Sequence, residues 1–477
     1  MSKPDQPKGT KLMILKRFYD EKLAHASYLV GCPGAGEACI IDPNRDLNQY
    51  ITVAQSEGLR ITKVAETHIH ADYLSGSQEL AEITGAELLV SDEGDADWKY
   101  DSTIKATLLK EGDSFRIGAL RFDIWHTPGH TPEHITHILT DEATSPEPFA
   151  AFTGDLVFVG DVGRPDLLEE AAGITGTAEP GARRLFHTLE RFKTLPDHIM
   201  IWPAHGAGSA CGKSLGGSPV SSLGYEKLTN WGLRHSVESE FVKDVLAGQP
   251  EPPAYFAQMK ARNKQKFASI TNRSQATLLT DPTIAEGKVI LDVRPSINYL
   301  GEHIYGSLHA PVQAQGFTTW AGWFVPYDQP IVLISQSQAD AEQAIKDLRQ
   351  IGLDQVVGYY LPSSIPHFSG NGSEVTSTIS IPAESCNIDQ GHLLDIRGLG
   401  EYVLHNHPAS THIPMGYLRK NQDKLKKESQ TFVHCQGGTR SPVAISVLEH
   451  LGHRNLVNVQ DGILGFNLTV NEPTCAR

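Results

Sequence analysis

Two stretches in the C-terminal part of this 477-residue chain carry the same residues in the same order, and this internal repeat constrains the fold more than any other feature. VILDVRPSINYLGEHIYGSLHAP aligns with HLLDIRGLGEYVLHNHPASTHIP. Asp292 and Asp395, Arg294 and Arg397, Tyr299 and Tyr402, Ser307 and Ser410, His309 and His412, and Pro311 and Pro414 each stand 103 positions apart. Further on, Ala344-Ile345, Leu348, Gly352 and Val357 meet Ala444-Ile445, Leu448, Gly452 and Val457 at a spacing of 100, so three residues are deleted in between. Two homologous domains are expected, at 275–372 and 377–477. In each, short apolar runs (Val289–Leu291, Ile331–Ile334, Thr431–Val433) alternate with helical stretches such as AISVLEHLG. Buried strands alternating with helices imply an α/β fold with a parallel sheet.

The first 255 residues read differently. Strand candidates (YLVGC, ACIID, ITKVAET, AELLVS, LRFDIWHT, HITHILT, FAAFTGD, HIMIWPAH) are separated by Gly and Pro turns, with helical segments LNQYITVAQSEG, SGSQELAEITG and GARRLFHTLERFKTL among them. Several strands end directly in a histidine or aspartate, as expected of a sheet scaffold presenting polar loops at one rim. The basic, polar stretch 256–274 reads as a helix or linker. At roughly 100–200 residues per domain, the whole length accommodates two to four domains.

With 41 Lys+Arg against 56 Asp+Glu, the net charge of −15 makes nucleic acid a poor partner. Six scattered cysteines (Cys32, Cys39, Cys211, Cys386, Cys435, Cys475) contain no CxxC pair, which argues against a disulfide framework and a thiolate zinc knuckle. The polar N-terminus lacks a signal-peptide pattern, and no apolar run of about 18 residues exists to span a membrane. A cytoplasmic protein with reduced thiols is the expectation.

Chemistry concentrates in four motifs. Thr67-His68-Ile69-His70-Ala71-Asp72-Tyr73 follows a strand, and two histidines one residue apart on an extended segment point to one locus. Thr127-Pro128-Gly129-His130-Thr131, Thr153-Gly154-Asp155 and Pro203-Ala204-His205-Gly206 come next, each placing a potential ligand after a strand and beside a Gly or Pro turn. Their order resembles the metallo-β-lactamase superfamily over about 12–255. That resemblance implies an αββα sandwich of two facing sheets with a metal at one edge. The superfamily includes hydrolases, glyoxalase II thioesterases and iron-dependent persulfide dioxygenases, and fold alone does not choose among them. Members with two metals usually read HxHxDH. Here Tyr73 occupies the last position, and a neutral phenol with a pKa near 10 is a poor ligand, so one metal is expected.

Carried over from the persulfide dioxygenases, the ligands of a single Fe(II) would be His68, His130 and Asp155, a two-histidine, one-carboxylate face with positions open for O2 and a thiol-derived substrate. His70, Asp72, Tyr73 and His205 would then stand behind the ligands, orienting them or a bound water. Gly160–Asp166 resembles the segment after the metal aspartate in these enzymes. Its Arg164 either meets a carboxylate of a thiol such as glutathione or is a surface arginine in a turn. Cys211, in GAGSACGKSLG, either faces the pocket as a persulfide carrier or substrate contact or packs as a small residue. That loop nearly matches GxxxxGK[ST], but Ala207 stands where the first Gly is needed.

Both repeats resemble rhodanese domains. In the second, Cys435-Gln436-Gly437-Gly438-Thr439-Arg440 closes a strand and feeds a helix N-terminus, where converging backbone N–H groups stabilise a thiolate or persulfide. Cys435 and Arg440 are the expected catalytic pair, Arg440 meeting an anionic donor, with Gln436, Gly437, Gly438 and Thr439 lining the loop. Asp395 and Arg397 match the family's DxR motif and are expected to form a structural ion pair beneath it. In the first repeat, Ser335 and Asp340 fall at the Cys435 and Arg440 positions, so that copy is expected to be catalytically dead.

The expected whole is thus an αββα sandwich followed by two rhodanese-like domains. Its expected activity is iron-dependent oxidation of a low-molecular-weight thiol persulfide by O2 to sulfite and thiol, coupled to sulfur transfer among thiosulfate, sulfite and thiols. The alternatives are a zinc-dependent glyoxalase II-like thioester hydrolase with rhodanese domains and a persulfide carrier that oxidises nothing. A homo-oligomer, dimer or tetramer, is the resemblance-based expectation.

Overall fold

A computed structural model describes residues 13–167, 169, 176–266, 276–427 and 429–466. The last residues of the 256–274 stretch, the final residues of the second repeat and Cys475 lie outside the described residues. The chain divides into two compact units, Met1–Asn272 with Gln350–Gly352, and Arg273–Arg349 with Leu353–Arg477.

The first unit contains two six-stranded sheets. One runs in chain order through β1 (Ile14–Asp20), β2 (His25–Cys32), β3 (Glu37–Ile41), β4 (Arg60–Ala65), β5 (Glu87–Ser91) and β6 (Thr107–Leu109). The other runs from β7 (Ser114–Ile117) through β8 (Leu120–His126), β9 (Ile135–Asp141), β10 (Ala150–Gly154) and β11 (Met200–Pro203) to β12 (Ser221–Ser222). Alternation along each strand gives every sheet two apolar faces. The inner faces meet in one core, where Tyr28, Val30 and Ile41 join Phe122, Ile124 and Phe152. The outer faces are covered by helices: Leu47–Ser56 and Ser77–Thr84 on one sheet, Ala178–Phe192 and Glu238–Leu246 on the other. This is the αββα sandwich. Sequence reading missed the edge strand β1, whose residues are only partly buried, and the helix Glu238–Leu246.

In the second unit each repeat builds its own parallel sheet. In the first repeat Leu308–His309, Val289–Asp292, Ile331–Ile334 and Val356–Tyr360 lie side by side. In the second, Ile379–Ile381, Leu456–Val459, Thr431–His434, His392–Asp395 and Ser410–His412 do the same. The repeat extends to side-chain geometry. Arg294 Nη2 sits 2.6 Å from Asp292 Oδ2, and Arg397 Nη2 sits 2.7 Å from Asp395 Oδ2. Tyr299 stacks on His309 at 4.3 Å and Tyr402 on His412 at 4.0 Å, both pairs inclined by 9°. No helix among the described residues is long and apolar enough to cross a membrane.

Candidate metal centre and sulfur-transfer loop

The loops after β4, β8, β10 and β11 converge at one rim of the sandwich and bring His68, His130 and Asp155 together, with one ligand atom from each inside a 4.8 Å span. His130 Nε2 is 3.3 Å and His68 Nε2 4.0 Å from Asp155 Oδ2. Hydrogen bonds settle which ring nitrogen carries the proton. The Thr67 hydroxyl donates to Asp42 Oδ2 at 2.8 Å, so Thr67 Oγ1 accepts from His68 Nδ1–H at 3.0 Å. His130 Nδ1–H donates to the Arg164 carbonyl at 2.9 Å. Both Nε2 lone pairs therefore face the carboxylate. Burial lowers both imidazole pKa values, with neighbouring histidines adding to the effect on His68, so the rings are neutral at neutral pH. The Asp155 oxygens are buried without a hydrogen-bond partner. Lone pairs opposed to an unpartnered buried carboxylate fit a cation between them.

The chain bends at Thr67 and His68 instead of continuing extended. The two histidine rings still lie side by side, with centroids 4.2 Å apart, but His70 joins Asp42 and Glu66 rather than His130 and Asp155. His70 Nε2 turns to Asp42 Oδ1 at 3.2 Å and Glu66 Oε2 at 3.0 Å. Burial opposes protonation, but these two carboxylates hold the His70 pKa well above the usual histidine value. Asp42 thus supports both histidines, and Glu66 also accepts from the Ser75 hydroxyl. A cavity of about 10 Å³, close to one water's worth, opens beside Glu66, His68 and His70. Tyr73 donates to the Asp42 carbonyl at 3.2 Å and rests its ring on His25, 4.2 Å away.

Asp72 and His205 lie on the far side of Asp155. His205 Nε2 is 3.3 Å from Asp72 Oδ2 and 3.5 Å from Asp155 Oδ1. Arg164 is not a surface arginine. It is buried, with Nε and Nη2 on the Asp166 carboxylate at 2.9 and 2.7 Å. Its Nη1 donates to the Ala210 and Pro250 carbonyls at 3.0 and 2.7 Å. These donors are committed within the protein, which makes Arg164 a clamp on the loop that carries Cys211 and disfavours a role in gripping a substrate carboxylate. Cys211 is buried, and burial together with Asp155 and Asp72 pushes its thiol pKa well up.

Sequence reading missed Asp42, Thr67 and His134. His134 Nε2 accepts the Asp155 backbone N–H at 3.1 Å, and its ring stacks against His68. Asp42 carried a signal, since it closes the strand run ACIID. Gly154 explains its place in the Thr-Gly-Asp motif: its φ is +48°, and a Cβ there would lie 2.5 Å from Thr67 Oγ1 and 2.6 Å from His134 Nε2.

At the second repeat's loop, Cys435 Sγ accepts the Gly438 and Arg440 backbone N–H groups at 3.2 and 3.3 Å, at the start of helix Ser441–His450. Gly438 has φ +87°, and a Cβ would come within 1.9 Å of the Gln460 carbonyl, so the loop closes only around glycine. Arg397 Nη1 donates to Gln436 Oε1 at 3.0 Å, tying the buried Asp395–Arg397 pair to the loop. Gly437 and Thr439 belong to the same turn. The expected free charge on Arg440 is not there. Glu401, unforeseen in the sequence, binds it bidentately at 2.7 and 2.6 Å. In the first repeat Ser335 Oγ donates to the Ser337 carbonyl at 2.9 Å, and Asp340 holds the Ser337 hydroxyl and Gln313.

Comparison with known proteins agrees with this architecture. The metallo-beta-lactamase superfamily model matches residues 21–205 and the rhodanese-like domain model residues 276–361. The mitochondrial persulfide dioxygenase ETHE1 of Bos taurus is 31% identical over 236 residues, which are 48% of this chain and 80% of that protein. A hydroxyacylglutathione hydrolase of Erythrobacter litoralis is 31% identical over 178 residues, 37% of this chain and 61% of that protein. The solved structure of a metallo-beta-lactamase from Staphylococcus aureus subsp. aureus COL is 41% identical, covers 74% of this chain and 99% of its own, and superposes with a TM-score of 0.67. The chain therefore belongs to the metallo-beta-lactamase superfamily, as a homologue of the persulfide dioxygenases fused to a C-terminal rhodanese-like region.

Proposed function

We propose that the first unit oxidises a low-molecular-weight thiol persulfide with O2, and that His68, His130 and Asp155 would hold the ferrous ion this chemistry needs. Persulfide, dioxygen and one water give thiol, sulfite and two protons. When bound, ferrous iron supplies redox chemistry and the open positions that a two-histidine, one-carboxylate set leaves free. The chain's part is to present two neutral imidazoles with Nε2 lone pairs inward, fixed by Thr67 and the Arg164 carbonyl, and a carboxylate free of competing donors. The observation that carries this reading is Asp155, buried with both oxygens unpartnered and facing those nitrogens.

In the second repeat, Cys435 attacks the outer sulfur of thiosulfate, releasing sulfite and leaving a cysteine persulfide cradled by the Gly438 and Arg440 N–H groups. An acceptor thiolate then takes that sulfur and restores Cys435. Sulfite and sulfane sulfur are thus common to both modules. Purified, iron-loaded protein is expected to consume O2 and form sulfite when given glutathione persulfide. Equal sulfite formation without O2 would overturn the oxidation step. Likeness to hydroxyacylglutathione hydrolases keeps a zinc thioester hydrolase as the rival. Thioester cleavage by the zinc-loaded chain, with no O2 uptake by the iron-loaded one, would select it.

A further inference from the structure

The loop 67–75 is almost wholly buried and lies outside helix and strand, so side chains must satisfy much of its backbone. Its first half is held by residues of the sandwich strands and their loops. Asp42 accepts the Thr67 N–H and Glu133 the Ile69 N–H, both at 2.7 Å. The second half is held by Asn263, at the end of helix Phe256–Asn263 and well downstream of all four metal-site motifs. Asn263 Nδ2 donates to the His70 and Tyr73 carbonyls at 2.7 and 2.8 Å, and its Oδ1 accepts the Ser75 N–H at 2.9 Å. Two carbonyls at one end and an N–H at the other fix which way the amide points. Asn263 is buried, with both donors and its acceptor in use, a combination that a carboxylate or a hydroxyl in its place does not offer.

What the clasped turn carries gives the contact its meaning. Asp72 sits inside it, with Oδ2 3.3 Å from His205 Nε2, which is in turn 3.5 Å from Asp155 Oδ1. Ser75 closes it, its hydroxyl donating to Glu66, whose other oxygen is 3.0 Å from His70 Nε2. Asn263 also walls the small cavity beside His68 and His70. The helix end is itself seated: the Asp101 N–H donates to the Lys264 carbonyl at 2.8 Å, and Lys264 Nζ to the Asp97 carbonyl at 2.7 Å. The start of the stretch that reads in sequence as a helix or linker is thus built into the metal-bearing rim. We propose that Asn263 is a positioning residue for the metal centre, holding the 70–75 turn so that Asp72 faces His205 and keeps Asp155 aligned on the ion.

The inference rests on His68, His130 and Asp155 holding an ion, and on neither the identity of that ion nor its oxygen chemistry. The test uses the full chain loaded with one equivalent of Co2+, whose ligand-field bands report the geometry of its donors and whose release to a chelator is timed. Asn263→Asp keeps the volume and the Ser75 contact but removes both donors, and Asn263→Ala removes all three bonds. Each is expected to shift the bands and to release cobalt about 10- to 100-fold faster than the unaltered chain. Lys264→Met, which unfastens the same segment from Asp97 without touching the turn, is expected to change neither. Where the cavity left by Asn263→Ala prevents folding, Asn263→Asp alone decides. Unchanged bands and release in Asn263→Asp, or equal changes in Lys264→Met, would defeat the proposal and leave the metal site standing. An unaltered chain that binds no cobalt would remove the site and the proposal together.

Discussion

The two repeats share a frame and differ in the loop it carries. In both, an arginine two residues after a strand-ending aspartate folds back on it. Arg294 also donates to the Glu302 carbonyl at 2.7 Å, and Arg397 to the His405 carbonyl at 2.6 Å, again 103 positions on. The divergence begins above that frame. Arg397 reaches Gln436 in a loop whose sulfur collects two N–H groups. At the matching place the first repeat has a hydroxyl that donates to its own loop and a carboxylate that occupies the arginine's position. The frame is common to both copies, while the loop atoms on which the proposed sulfur transfer would depend are present in the second alone.

The sharpest test of this contrast is Cys435→Ser. Thiosulfate sulfurtransferase activity is expected to fall by about 10³-fold or more, because an alkoxide precursor with no adjacent base replaces the nucleophile. O2 uptake with a persulfide should remain, and oxygen-electrode and sulfurtransferase assays on the same preparation separate the two. The shared frame predicts equal costs below the loops. Arg294→Ala and Arg397→Ala each leave a buried aspartate unpaired and are expected to destabilise the fold by about 3 kcal/mol, read as a lower denaturation midpoint. Only Arg397→Ala should also slow sulfur transfer. A smaller effect is expected from Glu401→Gln. Releasing Arg440 from its carboxylate should lower KM for thiosulfate by about three-fold at low salt, with the gain shrinking as salt screens it. Smallest of all, Ser335→Ala should leave sulfurtransferase activity unchanged. A marked loss there would mean that the first repeat participates.

Much of this was legible in the sequence, for a specific reason. A repeat spacing survives as register, so Asp292, Arg294, Asp395 and Arg397 could be paired off before any fold was known. The ordered motifs delivered His68, His130, Asp155 and His205 to one rim because each closes a strand. What escaped depends on contacts through space. Thr67 matters because its hydroxyl is oriented by Asp42, which lies before β4, and Glu401 because a helix turn brings it onto Arg440. The bend at Thr67 and His68, which residue spacing does not report, sends His70 Nε2 to Asp42 and Glu66 while its ring stays beside His68. Cys211 stayed ambiguous because its neighbours, Asp72 and Asp155, come from loops far away in sequence.

Arg164 serves two masters at once. Its carbonyl oxygen fixes the ring of His130, while its guanidinium anchors the Ala210 carbonyl next to Cys211. One amino acid thereby fixes both an imidazole beside Asp155 and the loop that carries Cys211.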